Sequence, residues 1–120
     1  MREHTDLQSL FDTFSAKANA IPRLHTLMAD WHPEFVIEAR DTGERFEVEV
    51  NEGRIASVTP RSAETPDRAL LLRADEDMLF EVFEGRQSAL TAYSDGLLEL
   101  YGDQRDQTKL DAIALILWGF

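Results

Sequence analysis

A stretch in the second half of the chain, residues 68–103, decides the fold and reads RALLLRADEDMLFEVFEGRQSALTAYSDGLLELYGD. Its first seven residues are apolar in the middle and polar at both ends, which predicts a strand, although the leucines suit a helix equally well. Asp75 can then cap a short helix with acidic residues in its first turn, and Gly85 can end that helix. The stretch therefore begins with a strand followed by a helix.

The remainder of the stretch predicts a second short helix and a second strand. Ser88 can cap the helix, and Asp95 with Gly96 can turn the chain into a strand over 97–101. A last helix is expected over 104–118, with its apolar residues mainly on one face.

Upstream, apolar residues alternate with polar ones, as in a sheet with one buried face. The alternating apolar positions are Phe35, Ile37, Ala39, Phe46, Val48 and Val50. Turn residues at 41–44 and 51–53 can reverse the chain twice, which predicts an antiparallel meander of three strands that ends near Pro60. Two prolines and several small polar residues predict a loop over 61–67.

Residues 1–33 predict an N-terminal helical segment. Thr5 and Gln8 form a capping box, and apolar residues then recur at helical spacing. Pro22 interrupts this helix or opens a second short one, which Pro33 ends.

The composition is that of a soluble globular protein, since 43% of the 120 residues are apolar and 29% are charged. A chain of this length can bury a real core, so we expect 1–120 to form a single domain. The net charge of −11 repels phosphate backbones and anionic lipid headgroups, which argues against nucleic acid as a partner.

The beginning of the chain lacks a signal-peptide pattern, and the longest apolar run, 113–118, is too short to span a bilayer. We therefore expect a cytoplasmic protein without stable membrane insertion. The chain has no cysteine, which excludes disulfides and thiolate metal sites.

Residues that could carry chemistry are scattered along the chain. The histidines are His4, His25 and His32. They show no zinc-binding spacing, and no serine lies in a nucleophile elbow. A solvated sheet face explains the pair Glu47 and Glu49, and a helix cap explains the pair Asp75 and Asp77. We expect no catalytic residue, no metal site and no cofactor.

Apolar residues, in contrast, exceed what one-sided helices need, both between 78 and 93 and in the last helix. They form core on two sides or they line a cavity.

The order of these features resembles the sterol carrier protein type 2 (SCP2) domain. In that family a strand precedes an acidic-capped short helix, a glycine, a short helix with alanine before an aromatic residue, another glycine, an alternating strand, and Gly-Asp before a closing helix. The matching residues here are Arg68 to Gly85, Ala92, Tyr93, Gly96 to Leu100, Gly102 and Asp103. The strong part of the resemblance covers 68–117, and 42–50 stands where the family places its second strand.

The resemblance implies an α+β fold, with a five-stranded, mainly antiparallel sheet, helices packed on one face and an apolar tunnel between them. It also implies non-catalytic binding of a fatty acid, acyl-CoA, sterol or isoprenoid-like lipid, by a lipid carrier or an accessory protein. We expect about half of the following residues to contact the ligand and the others to be core. The expected tunnel residues are Leu79, Val82, Phe83, Tyr93, Leu98, Leu100, Leu110, Ile113, Leu117 and Trp118.

Two features depart from the family pattern. Leu97 and Tyr101 occupy positions that the family usually leaves polar, so a homodimer contact through them and the C-terminal helix is one explanation. The apolar C-terminus, 115–120, does not resemble the Ser-Lys-Leu peroxisomal signal of many relatives, which puts peroxisomal transfer in doubt.

Three functions compete. The first is a lipid carrier or accessory protein. The second is a non-catalytic module that uses the same apolar surface to dimerise or to dock on an enzyme, since family members also occur as accessory domains of hydrolases and in quinone biosynthesis. The third is an enzyme, which would need a polar cluster inside the fold; the sequence indicates none.

Overall fold

The computed structural model describes residues 6–118 of the chain. Its strands are β1 (Phe35–Ala39), β2 (Arg45–Asn51), β3 (Arg54–Pro60), β4 (Leu70–Ala74) and β5 (Leu98–Tyr101). Its helices are α1 (Leu7–Asn19), α2 (Pro22–Met28), α3 (Glu76–Phe83), α4 (Ala89–Ser94) and α5 (Gln104–Trp118). Within this part of the chain, no helix combines the length and the apolar content that crossing a membrane requires.

The strands form a five-stranded sheet with the order β3-β2-β1-β4-β5. β1, β2 and β3 make the predicted antiparallel meander, and β5 is antiparallel to β4. β4, however, pairs with β1 in parallel, with Leu70 opposite Phe35. The prediction of a mainly antiparallel sheet is therefore corrected, because the sheet is mixed.

The parallel pair results from the connection between β3 and β4. β3 lies at one edge of the sheet, so the chain has to pass β2 and β1 before β4 can join on the far side. The loop over 61–69 makes this crossing. Turn residues indicate pairing only between strands that follow each other directly, so the sequence did not reveal the neighbour of β4.

The two faces of the sheet differ in chemistry, as the alternating pattern predicts. The face that the helices do not cover carries charged side chains, among them Glu38, Arg73 and Glu99. The core lies between the apolar face and the helices. The buried residues of the apolar face are Phe35, Ile37, Ala39, Phe46, Val48, Val50, Ile55, Val58, Leu70, Leu72, Ala74 and Leu98.

A chain of aromatic contacts joins the helices to the sheet. The ring of Phe11 packs edge-on against Phe46 and Phe83, both at 5.1 Å between centroids. Phe83 also meets Phe14 at 5.0 Å and Trp118 at 5.7 Å. Each such pair adds about 0.5–1.5 kcal/mol beyond burial, so these contacts hold α1, α3 and α5 together over β2.

The starts of α1 and α3 differ from the prediction. Asp6 is the N-cap of α1, and its carboxylate accepts a hydrogen bond from the Ser9 N–H at 2.8 Å. The predicted cap Thr5 lies outside the described residues. Asp75 occupies the N-cap position of α3, but its side chain makes no capping hydrogen bond and pairs with Arg40 at 2.8 Å.

A residue from another element supplies the missing cap of α3. Asp41, in the turn after β1, accepts a hydrogen bond from the Glu76 N–H at 2.9 Å. A carboxylate at this place satisfies a free backbone N–H and interacts favourably with the helix dipole. The turn between β1 and β2 therefore fixes where α3 begins.

The other boundaries of helices and strands lie close to the predicted ones. Ser88 caps α4, since its Oγ accepts a hydrogen bond from the Thr91 N–H at 3.3 Å. β4 and β5 begin at Leu70 and Leu98, slightly later than predicted, while α5 has the predicted bounds. Gly85, between α3 and α4, has a φ of +80°, and a Cβ there would lie 3.3 Å from the indole of Trp118.

Candidate ligand-binding pocket

An apolar pocket of about 250 Å³ lies between the apolar face of the sheet and the helices α3, α4 and α5. Strands β1, β4 and β5 and helices α3, α4 and α5 all contribute lining residues, while α1 adds a single phenylalanine. The apolar lining residues are Phe14, Phe35, Leu72, Val82, Phe83, Ala89, Leu90, Tyr93, Leu98, Leu100, Leu110, Ile113, Ala114 and Trp118.

The pocket has a buried end and an exposed end. Val82, Leu98 and Ile113 belong to the buried core. Leu90 and Tyr93, both on α4, are 70% and 50% exposed. Large apolar side chains that stay exposed beside an apolar pocket mark its mouth, so the six-residue helix α4 borders the entrance.

Most of the predicted tunnel residues lie in the lining of this pocket. They are Val82, Phe83, Tyr93, Leu98, Leu100, Leu110, Ile113 and Trp118. Leu79 and Leu117 instead lie in the buried core and do not line the pocket. On α5, Trp118 lines the pocket while its neighbour Leu117 does not, since adjacent residues of a helix point in different directions. Contact of any of these residues with a ligand stays a prediction.

Several lining residues were not predicted from the sequence. Phe14, Phe35 and Leu72 come from α1, β1 and β4, which only the tertiary fold brings to the pocket. Ala89 and Leu90 belong to α4, where the prediction named only the tyrosine. The others lie on α5, and its helical spacing carried a signal that could have found them. Those residues are Gln104, Gln107, Asp111 and Ala114.

The polar side chains of the pocket other than Tyr93 come from one stripe of α5. Gln104, Gln107 and Asp111 are separated by three and then four residues, which places them on one side of the helix. The same steps continue to Ala114 and Trp118. Asp111 is an exposed residue of this stripe, and the apolar walls beside it remove part of its hydration, which raises the pKa of its carboxyl.

A row of ion pairs crosses the opposite face of the sheet. Glu38 on β1 pairs with Arg45 on β2 at 3.0 Å and with Arg73 on β4 at 2.6 Å. Arg73 also pairs with Glu99 on β5 at 3.0 Å, and Glu99 pairs with Arg40 at 2.9 Å. Acids and cations therefore alternate across four strands.

The pKa values of these acids fit a structural role. Burial raises the pKa of Glu38, but the hydrogen bonds and charges of Arg73 and Arg45 outweigh it, and the result lies below the ordinary value. The pKa of Glu99 is also lowered, first by the hydrogen bond that the Tyr101 hydroxyl donates and then by Arg40. Carboxylates held ionised in this way are not the raised-pKa acids of catalytic sites.

The described histidines bond to backbone carbonyls. A ring nitrogen of His25 lies 2.8 Å from Asn19 O, and one of His32 lies 3.2 Å from Val50 O. His4 lies outside the described residues. Across 6–118, no group of three or more His, Asp or Glu side chains is placed to hold a metal ion.

Comparison of the structure with solved structures decides the fold. The crystal structure of sterol carrier protein 2 superposes with a TM-score of 0.64 and 17% identity, covering 92% of this chain and 95% of that chain. The chain has an SCP2-like fold. The prediction made from residues 68–117 is thereby confirmed at the level of the fold.

Other solved structures with this fold differ in context. The palmitated SCP2L2 of Aedes aegypti has a TM-score of 0.60 and 14% identity, and the match covers 92% of this chain and 95% of that one. The sec-alkylsulfatase Pisa1 of Pseudomonas sp. has a TM-score of 0.68 and 15% identity; the match covers 97% of this chain but 17% of the sulfatase. No family model and no curated protein matches the sequence.

Proposed function

We propose that the chain binds a hydrophobic ligand in the apolar pocket and acts, without catalysis, as a lipid carrier or accessory protein. The ligand class is a fatty acid, acyl-CoA, sterol or isoprenoid-like lipid. The observation that carries the proposal is the pocket itself, which is apolar on most of its surface and bordered by the exposed side chains of Leu90 and Tyr93. The palmitated state of the Aedes aegypti protein, which has the same fold, supports this choice.

Such binding requires no specific hydrogen bond or charge, because the burial of hydrocarbon supplies the free energy. Each CH₂ removed from water contributes about 0.8 kcal/mol, whereas ordering a ligand in a site costs several kcal/mol. A chain of about ten buried carbons therefore binds with a net gain. A pocket of about 250 Å³ lies just below the usual range for ligand sites, which favours one slender chain or one compact ring system.

A pair of neighbouring residues on α5 provides a sharp test. Ala114 lines the pocket and is partly buried, whereas Leu115 is 59% exposed and lies outside the lining. Ala114→Phe places a ring in the pocket, and Leu115→Phe places the same ring in water. We expect Ala114→Phe to weaken binding of the neutral dye Nile red at least about tenfold and Leu115→Phe to leave it unchanged.

Circular dichroism and urea unfolding of both variants serve as the folding control. If the dye binds equally well to a folded Ala114→Phe protein, the ligand does not occupy this pocket and the proposal fails.

A second candidate function is a non-catalytic homodimerisation or enzyme-docking module without bound lipid. The observation that favours it is the exposure of Leu97, Tyr101 and Leu115 outside the pocket. Tyr101 lies on β5, an edge strand, where unpaired backbone groups can add a partner strand. The occurrence of the fold within the longer Pisa1 chain also supports an accessory role.

Light scattering separates this module from the carrier. A homodimer that uses Leu97, Tyr101 and the C-terminal helix should become a monomer in Leu97→Lys or Tyr101→Lys. A wild-type monomer at all concentrations would exclude the homodimer. For both functions we propose that 1–120 forms one domain, because α1 and α5 pack into the same aromatic core. The cytoplasmic location stays a prediction.

A further inference from the structure

The pocket follows α5 along its whole length. Its lining residues on this helix extend from Gln104, the first residue, to Trp118, the last. At a rise of about 1.5 Å per residue, the helix covers about 21 Å between these two residues. A ligand with a single hydrocarbon chain would therefore lie along α5, with one end towards Gln104 and the other towards Trp118.

The two ends of the pocket differ in polarity. Gln104 is exposed to solvent, and Gln107 lines the pocket nearly one turn further along the helix. At the other end the indole of Trp118 packs against Phe14 and Phe83, two buried rings that also line the pocket. A polar headgroup can keep water and amide partners at the first end and would lose them among the aromatic rings. The hydrocarbon tail should therefore point towards Trp118.

Packing on several sides fixes the position of the Trp118 indole. The indole stacks on Phe14 at 5.8 Å between centroids, with 26° between the planes, and meets Phe83 edge-on at 5.7 Å. The turn after α3 supplies a third contact, since a Cβ on Gly85 would lie only 3.3 Å from the indole. Side chains packed in this way do not make room for an extra CH₂ group without strain. The indole therefore forms a fixed end of the pocket.

We infer that Trp118 limits the length of the hydrocarbon chain that the pocket accepts, and that the ligand lies with the end of its tail against this indole. The inference rests on the proposed function and adds a specificity-determining residue to it. Each CH₂ group added to a ligand should tighten binding about fourfold until the tail reaches Trp118. Further CH₂ groups would remain in water and leave the affinity constant.

Displacement of Nile red by saturated fatty acids of increasing length tests this chain-length limit. In the wild type the displacing concentration should fall with each CH₂ group and then become constant. Trp118→Leu shortens the side chain by several atoms, so the limit should move to chains that are at least about two CH₂ groups longer. Trp31→Leu is the matched control, because Trp31 is also buried but lines a separate cleft beside Arg105 and Lys109. It should leave the limit unchanged.

Quenching of tryptophan fluorescence by bromine tests the orientation of the ligand. Trp31→Phe leaves Trp118 as the single tryptophan, and Trp118→Phe leaves Trp31. Bromine quenches an indole that it contacts. Hexadecanoate with bromine on its terminal carbon should therefore remove most of the Trp118 emission, whereas hexadecanoate with bromine beside the carboxylate should remove little of it. Neither acid should quench Trp31.

Two kinds of result would overturn the inference. One is equal quenching of Trp118 by the two brominated acids, a test that keeps the indole in place and does not depend on the folding of Trp118→Leu. The other is an unchanged limit in a Trp118→Leu protein that circular dichroism shows to be folded, or the same shift of the limit in Trp31→Leu. In these cases the acids still displace the dye and the proposed function stands. Absence of dye binding to the wild type would overturn the proposed function, and this inference with it.

Discussion

Gly102 shows how one residue controls the contact between two strands. It follows β5, has a φ of +125°, and a Cβ there would lie 3.0 Å from both Ala69 O and Leu70 Cα. Both of these atoms belong to the backbone at the start of β4, so they cannot rotate aside as the end of a side chain can. Any larger residue would have to push β5, a wall of the pocket, away from β4.

We expect Gly102→Ala to lower the free energy of unfolding by about 2–3 kcal/mol in urea titrations. Gly43→Ala is the matched control, because Gly43 has a φ of +82° but no atom within 4 Å of an added Cβ. It should lose only the cost of the left-handed conformation, about 1 kcal/mol. Equal losses would show that the close approach at Gly102 contributes nothing.

The helix α3 shows that a distant turn can set the beginning of an element. The residue in the N-cap position, Asp75, is bound to Arg40, and the cap comes from Asp41 in the turn after β1. α3 carries Val82 and Phe83 into the pocket, so the cap also positions part of the candidate site.

Asp41→Ala should therefore destabilise the protein by about 1 kcal/mol, as loss of an N-cap does. Asp75→Ala removes an ion pair with a half-exposed carboxylate and should cost less, about 0.5 kcal/mol or below. Thermal or urea unfolding of the two variants gives the comparison. A larger loss in Asp75→Ala would mean that the helix is capped by its own sequence neighbour.

These elements also indicate what the sequence can predict. Ser88 and the turn at Gly96 act on their immediate neighbours, so the approximate boundaries of α4 and β5 could be predicted from the sequence. The Asp41 cap and the pairing of β4 with β1 join residues 35 positions apart, and no local pattern marks them. Asp111 was missed because only apolar residues of α5 were expected in the lining, although Asp111 lies on the same side of that helix as Trp118.

For the whole molecule, the ion-pair row ties four strands together on the face that the helices leave open. The folded state lowers the pKa values of Glu38 and Glu99 below the ordinary 4.5. These groups therefore contribute stability above that pH, and the contribution is lost as the pH falls through the lowered values. The contribution of Asp111 has the opposite sign, since partial loss of hydration raises its pKa and its ionisation therefore costs stability as the pH rises.

Glu38→Gln should reduce the free energy of unfolding at neutral pH by about 1–2 kcal/mol, because it leaves Arg45 and Arg73 without their shared carboxylate. The difference from the wild type should shrink in acid, below the pKa values of both states, where the wild-type carboxyl is neutral as well. Urea titrations across this range check the convergence. If the difference in the free energy of unfolding between the wild type and Glu38→Gln stays constant as the pH falls, the ion-pair row does not stabilise the sheet in this way.

Native mass spectrometry of the wild type and Ala114→Phe, purified in parallel from the same host, tests lipid binding in the pocket most directly. We expect the wild type to carry a lipid-sized mass adduct that Ala114→Phe lacks. A ligand-free wild type, alone or as a dimer, or an equal adduct on both proteins, would contradict the claim that this pocket binds the ligand.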